Sequence, residues 1–312
     1  MKSMFVIASL NIDMVASVEH LPRKGETIFA NQFNTFFGGK GANQAIAAVK
    51  LGAKVALYGK VGEDAYGTAY QDTLSQYPFH QLEVDISKTE PTGRAFINVS
   101  QSGENEITVI SGANHAIQKE DIANLKLIDQ ETEIVLSQFE VPQEATIEAF
   151  TKAKSENPNC VTIFNPAPIL SISDKLWSCT DILIPNETEI SGICERKFEQ
   201  IEDLVIACQE LIQAKKIKYM IVTMGEKGAL LVTENYHELI PSKRVEAKDT
   251  TAAGDSFIGA FAAHLLMEGI VTRDTVRSSI CYANTAAAIT VQTEGAQSSL
   301  PTKLQVESQM KV

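Results

Sequence analysis

The chain has 312 residues, of which 44% are hydrophobic and 21% charged, and a net charge of −12. A chain of that length buries about three-quarters of its unfolded surface and makes one large domain or two smaller ones, with the composition of an ordinary soluble globular protein. The acidic excess excludes nucleic acid and an anionic membrane as partners, since both need a basic face, and any phosphate must then be held by local groups or a metal ion. No apolar run reaches the ~18 residues of a membrane helix. The cysteines at 160, 179, 194, 208 and 281 form no C-x-x-C pair and fit buried thiols in a reducing cytoplasm. The five His and Trp177 show no metal-ligand spacing, and no Ser–His–Asp or Cys–His arrangement points to hydrolysis.

In chain order, Met4 to Leu10 reads as a continuous apolar strand, a poor signal peptide but a good first buried strand. Asn11 and Asp13 follow at its end, where open α/β sheets carry ligand groups. A turn-rich connection, 17–27, leads to a polar and aromatic strand-like segment, Thr27 to Phe37. The glycines at 38, 39 and 41 precede a helix over Ala42 to Leu51, which Gly52 ends. They form neither a Walker A loop, since no Ser or Thr follows Lys40, nor a dinucleotide fingerprint, since the third glycine is missing. What remains is a pliant backbone with Lys40 and Asn43 beside it. Val55 to Tyr58 is the next strand, and Gly93–Val99 with Glu106–Ile110 is a β-hairpin. The hairpin and the 27–37 segment together predict a small sheet, a lid over the strand ends.

Strands and helices then alternate: Ile134–Ser137, helix 142–155, Val161–Phe164, Ile182–Ile184, helix 199–215 and Tyr219–Thr223. The pattern predicts a mainly parallel sheet with helices on both faces. After Thr223 a tight turn, MGEKGA, predicts an antiparallel edge, and a helix from about 255 and another over Val276–Ile289 close the fold.

Several polar groups sit at predicted strand ends or helix starts. Asn11, Asp13, Asn43 and Glu140 would suit the paired hydroxyls of a sugar, and each alone would also suit a cap or turn. Asn186 and Glu189 share one face of a helical turn. They could support a hydrated Mg²⁺ near phosphates or form a plain capping box. Thr223 with the Gly225–Gly228 turn could cradle a nucleotide or close a hairpin. The stretch DTTAAGDSFIGAF, Asp249–Phe261, carries the sharpest signal. Ala252, Ala253 and Gly254 leave the N–H groups at a helix start open to an anion, and Asp255 sets a carboxylate beside them. That is an arrangement for phosphoryl transfer, although an ordinary Asp-capped helix reads the same way.

FGGKGANQAIAAV, NPAP at 165–168, PNETE at 185–189, VTMGEKGA and DTTAAGDSFIGAF, in this order, resemble the ribokinase group of the PfkB carbohydrate kinases over about residues 5–301. The resemblance implies an α/β three-layer sandwich over residues 1–312 with a mainly parallel central sheet. It also implies a β lid from about 12–38 and 91–112. The implied activity is ATP-dependent phosphorylation of D-ribose at its 5-hydroxyl. Asp255 is then the base, and the N–H groups of Ala252, Ala253, Gly254 and Asp255 form the anion hole. Asn11, Asp13, Gly39, Lys40, Asn43 and Glu140 hold the sugar. Asn186, Thr223, Gly225, Gly228, Gly254 and Asn284 line the ATP site, with Glu189 organising Mg²⁺ through water. K⁺ is implied beside Asp249, Thr251, Thr290, Thr293, Gly295 and Ser299, mostly through carbonyls.

Two departures stand out: Asn284 where other members often carry His near the adenine, and Thr251 in place of an aliphatic residue. The helix start predicts a lowered pKa for Asp255. The hairpin has apolar residues on both faces (Ala95, Ile97, Val99; Phe96), which predicts a homodimer through the lids. The alternatives are a PfkB kinase for deoxyribose, a nucleoside or a ketose, and a catalytically silent sugar or nucleotide sensor.

Overall fold

A computed structural model describes residues 2–310. In chain order its strands are β1 (Ser3–Ala8), β2 (Asn11–Val18), β3 (Ala30–Gly38), β4 (Val55–Gly62), β5 (Gln81–Ser87), β6 (Gly93–Ser100) and β7 (Asn105–Ile110). They continue with β8 (Thr132–Gln138), β9 (Val161–Asn165), β10 (Ile182–Leu183), β11 (Tyr219–Thr223), β12 (Ala229–Thr233) and β13 (Tyr236–Ile240). The helices are α1 (Lys40–Lys50), α2 (Ala65–Leu74), α3 (Lys119–Asn124), α4 (Gln143–Glu156) and α5 (Asp174–Cys179). They continue with α6 (Glu187–Ile193), α7 (Ile201–Lys215), α8 (Ala253–Glu268), α9 (Arg273–Thr290) and α10 (Lys303–Met310).

The larger sheet has the order β13-β12-β11-β10-β9-β8-β1-β4-β5. From β11 to β5 every pair is parallel, and β12 and β13 add the expected antiparallel edge. The apolar first strand explains this layering. Successive side chains point to opposite faces, so a strand buried on both sides must be apolar throughout. Met4, Val6 and Ala8 join the core formed with α1, α8 and α9, while Phe5 and Ile7 join a second core with α4 and α7. The result is helices, sheet, helices. β5, β13, α2 and α10 lie outside the segments expected from periodicity.

The smaller sheet has the order β3-β2-β6-β7, antiparallel at its two outer pairs and parallel between β2 and β6. Residues 11–18 therefore form a strand of this sheet rather than only a strand end and a connection. Register places Phe36, Asp13, Ala95 and Val109 on one face, and Thr35, Met14, Phe96 and Thr108 on the other. Phe36, Phe96 and Val109 are all exposed, so apolar surface faces outward on both sides. No helix of the described residues is long and apolar enough to cross a membrane.

Candidate active site

α8 packs so closely on α1 that a Cβ on Gly259 would lie 2.3 Å from the backbone oxygen of Gln44. Only a glycine one turn along from Asp255 permits this approach, and it brings the first turns of the two helices together. Asn43 and Gln44 then meet Asp255. Asn43 Nδ2 donates to Asp255 Oδ2 at 3.0 Å, and Gln44 Nε2 donates to Oδ1 at 3.0 Å. Gln44 was not singled out from the sequence. Its signal was spacing, since positions 40, 43 and 44 share one helical face.

α8 starts at Ala253, with Ala252 in the left-handed region (φ 58°). The N–H of Ala253 is engaged with the Thr250 carbonyl at 3.2 Å, so one of the four amides expected to be free is in use. Gly254 faces open space. This turn lines a cleft of about 260 Å³ together with Lys40, Asn165, Asn186, Glu189, Thr223 and Asp255.

Burial pushes the Asp255 carboxyl above the ordinary range, against the Lys40 charge and the two amide donors. This corrects the lowered pKa expected from the helix start: desolvation outweighs the dipole here. Burial alone would push the Lys40 ammonium down. The carboxylates of Asp255, Glu140, Glu189 and Asp13 more than offset that, and it stays above the ordinary lysine range. Lys40 thus stands between the expected sugar groups and the expected phosphate groups.

On the sugar side, Glu140 Oε2 accepts from Ser9 Oγ at 2.7 Å, the Lys40 N–H at 2.9 Å and Asn11 Nδ2 at 3.3 Å. Asn11 is held in turn by Asn114 Nδ2 at 2.7 Å. Gly39 has φ 95°, and a Cβ there would meet the Ser9 carbonyl at 2.5 Å, which lets the turn into α1 lie against the end of β1. Tyr70 of α2 supports the turn from outside by donating to the Gly38 carbonyl. Burial, with Glu140 and Asp255 adding repulsion, raises the Asp13 carboxyl to about 7. Asn43 Oδ1 is buried without a partner.

On the other side, the capping-box reading of 186–189 is realised. Asn186 accepts from the Glu189 N–H, and both Glu189 oxygens accept from Asn186 groups at 2.8 and 3.0 Å. The same pair also lines the cleft, so cap and ligand readings coexist. Asn186 bridges to Thr223. Gly225 opens onto space and Gly228 lies against Ile240. The Asn284 amide nitrogen donates to the carbonyls of Ile240 and Pro241 at 3.0 and 3.3 Å, tying α9 to the end of β13 and leaving the side-chain oxygen as the group available to a ligand.

Asp249 Oδ1 accepts from Thr251 and Oδ2 from Gly295, at 2.9 and 2.8 Å, and Thr293 bonds back to Thr290. Donors from Thr251 and Gly295 hold the Asp249 carboxyl below the ordinary range despite the burial that opposes it. Ser299 is buried, but its hydroxyl is on Ala296 and does not join this set. Among the described residues, no three His, Cys, Asp or Glu side chains gather closely enough to hold a metal ion by themselves.

The chain matches the pfkB family of carbohydrate kinases over residues 1–303. It is 35% identical over 302 residues to a ribokinase of Haemophilus influenzae, covering 97% of this chain and 96% of that one. It is 34% identical over 297 residues to a deoxyribokinase of Salmonella typhi, covering 95% and 94%. It also matches, at 36% over 304 residues, a bifunctional ribokinase/ribose-5-phosphate isomerase A of Fructilactobacillus sanfranciscensis, and spans 55% of that longer protein and 97% of itself. A ribokinase from Arabidopsis thaliana solved with ribose and ATP superposes with a TM-score of 0.85 at 30% identity, covering 100% of each chain.

Proposed function

The chain belongs to the pfkB family of carbohydrate kinases, and within that family we propose that it transfers the terminal phosphoryl group of ATP to the 5-hydroxyl of D-ribose. The observation that carries this reading is the Asp255 carboxylate, held by two amides at the edge of a cleft floored by the open turn at Gly254. Asp255 takes the proton of the 5-hydroxyl as its oxygen bonds to phosphorus. A raised pKa suits that task better than a lowered one, because it strengthens the base near neutral pH. The open N–H groups of the turn donate to the oxygens of the transferring phosphoryl group, and Lys40 offsets its charge. Asn11, Asp13, Asn43 and Glu140 hold the ring hydroxyls. The orphaned Asn43 Oδ1 supports this part, since a buried acceptor without a partner suits a hydroxyl donor.

Four carboxylates surround Lys40, so a nucleotide triphosphate brought here needs added positive charge. Mg²⁺, when bound, neutralises the phosphate oxygens. Glu189 fits it through water, since its two oxygens keep lone pairs beyond the capping bonds. K⁺ would suit the loops at Asp249–Thr251 and Thr290–Gly295, which the ionised Asp249 carboxylate ties together by accepting from the Thr251 and Gly295 N–H groups. Asn186, Thr223, Gly225 and Gly228 line the nucleotide side, with Asn284 as scaffold. The two-sided apolar lid supports a homodimer through the small sheets.

An ADP-release assay over a panel of ribose, 2-deoxyribose, ketoses and nucleosides, with and without K⁺, tests the proposal. The highest kcat/KM is expected for ribose, and its absence for every sugar removes the reading. The nearly equal identity to a deoxyribokinase favours 2-deoxyribose as the second reading, and the same panel decides between them.

A further inference from the structure

Gln44 carries a chain of contacts that the phosphoryl-transfer reading does not use. It is fully buried, and its Nε2 donates both to Asp255 Oδ1 at 3.0 Å and to Asn165 Oδ1 at 3.2 Å. Asn165, at the end of β9, donates its own Nδ2 to the Ile184 carbonyl at 2.9 Å. A main-chain carbonyl accepts only, so it dictates which end of the Asn165 amide is nitrogen. Asn165 Oδ1 is thereby turned toward Gln44 and dictates the same for that amide. With both N–H groups facing acceptors, Gln44 Oε1 is left buried without a partner. An isolated orphan of this kind is unfavourable, and it persists here because the flipped amide would set oxygen against the Asp255 carboxylate.

We infer that Gln44 is a positioning residue, the last link of a one-way relay running from Ile184 through Asn165 that fixes the rotation of the Asp255 carboxylate about its own axis. This rests on Asp255 being the base. Asn43 holds the other oxygen, so the two amides define the carboxylate plane. Loss of the Gln44 bond leaves one tether and a carboxylate free to turn. It also removes a donor that favours the ionised form, so Asp255 should take its proton up to a higher pH.

The test uses the full chain with Gln44→Met, Asn165→Leu, Asp255→Asn and the Gln44→Met/Asp255→Asn pair, assayed with the best accepted sugar and ATP from pH 5 to 9. Gln44→Met should lower kcat about tenfold with sugar KM within about threefold of the parent, and move the acid limb of the kcat profile upward. The pair should be no slower than Asp255→Asn alone, since a residue acting through another adds nothing once that one is gone. Asn165→Leu reads the relay from its far end and should show the same upward limb with a smaller fall in kcat. It serves alone if Gln44→Met does not fold. An unmoved acid limb in the soluble variants, or a raised KM with kcat intact, overturns the relay. A parent enzyme that phosphorylates no sugar overturns the kinase reading instead, so the two failures are told apart.

Discussion

The turn at the start of α8 and the small sheet are built on opposite plans. Around Asp255 the polar side chains hold one another by hydrogen bonds between α1, α8 and β9, set on helices packed backbone to backbone. The small sheet leaves Phe36, Phe96, Ile107 and Val109 exposed, and Asn11 ties it to Glu140 by a hydrogen bond. Chemistry that depends on alignment to a fraction of an ångström sits on the first plan. On the proposed reading, part of the recognition that must admit and release a sugar, through Asn11 and Asp13, would sit on the second.

The sharpest way to break this contrast is Asp255→Asn. We expect kcat to fall by about 10²-fold or more while ribose still binds in calorimetry, and near-normal turnover would refute the assignment. Next is the K⁺ proposed at the Asp249 loop. Replacing K⁺ with tetramethylammonium should lower kcat roughly tenfold, because the loop that shapes the anion turn loses its positive charge. Equal rates in both salts would count against that site. The lid variants Phe96→Glu and Val109→Glu probe the two faces of the sheet separately. One should convert a dimer to a monomer in light scattering at micromolar concentration. The other should raise sugar KM by about fivefold with kcat nearly kept, in line with the loss of apolar contact. If both variants match the parent in mass and in KM, the lid has no such division of labour.

The smallest effect concerns Asp13. Its folded pKa of about 7 lies above the ordinary carboxylate value. The native state therefore holds a proton that the unfolded state releases near pH 4. The stabilising contribution is whole below about pH 4 and is lost as pH rises to about 7. Asp13→Asn removes this dependence, so its melting temperature relative to the parent should climb by a few degrees between pH 4.5 and 8. A constant difference across that range would show that the Asp13 carboxyl titrates normally.

The longer helices α1, α4, α7, α8 and α9, the parallel sheet apart from β5, and the β6–β7 hairpin are legible because their apolar spacing is local. Spacing marks Thr27 to Phe37 as strand-like and the family resemblance places about 12–38 in the lid, but neither reads β2 as a strand. Asn11 and Asp13 looked like groups at the end of β1, and only the ladder to β3 and β6 shows that they begin another strand. The shift at Asp255 was misjudged for a related reason. A helix start is visible in sequence, whereas the desolvation from α1 packed over it is not. The tie from the Asn284 amide nitrogen to the carbonyls of Ile240 and Pro241 is not legible in the sequence, because those carbonyls lie more than forty residues away. Gln44 was hidden among small helical residues, although its neighbours at 40 and 43 marked the face it shares.

The close approach at Gly259 has a consequence for how such an enzyme can change its diet. Because that glycine lets α8 lie against α1, Asn43 and Asp255 meet directly across the two helices. On the proposed reading Asn11 and Asp13 contribute to the sugar site from the small sheet while Asn43 contributes from the same helix pair as the base, so a change confined to the small sheet would leave Asp255 and its tethers in place. Only the share of sugar choice carried by the small sheet would then be free to vary apart from the base, and the share carried by Asn43 would be inherited with it.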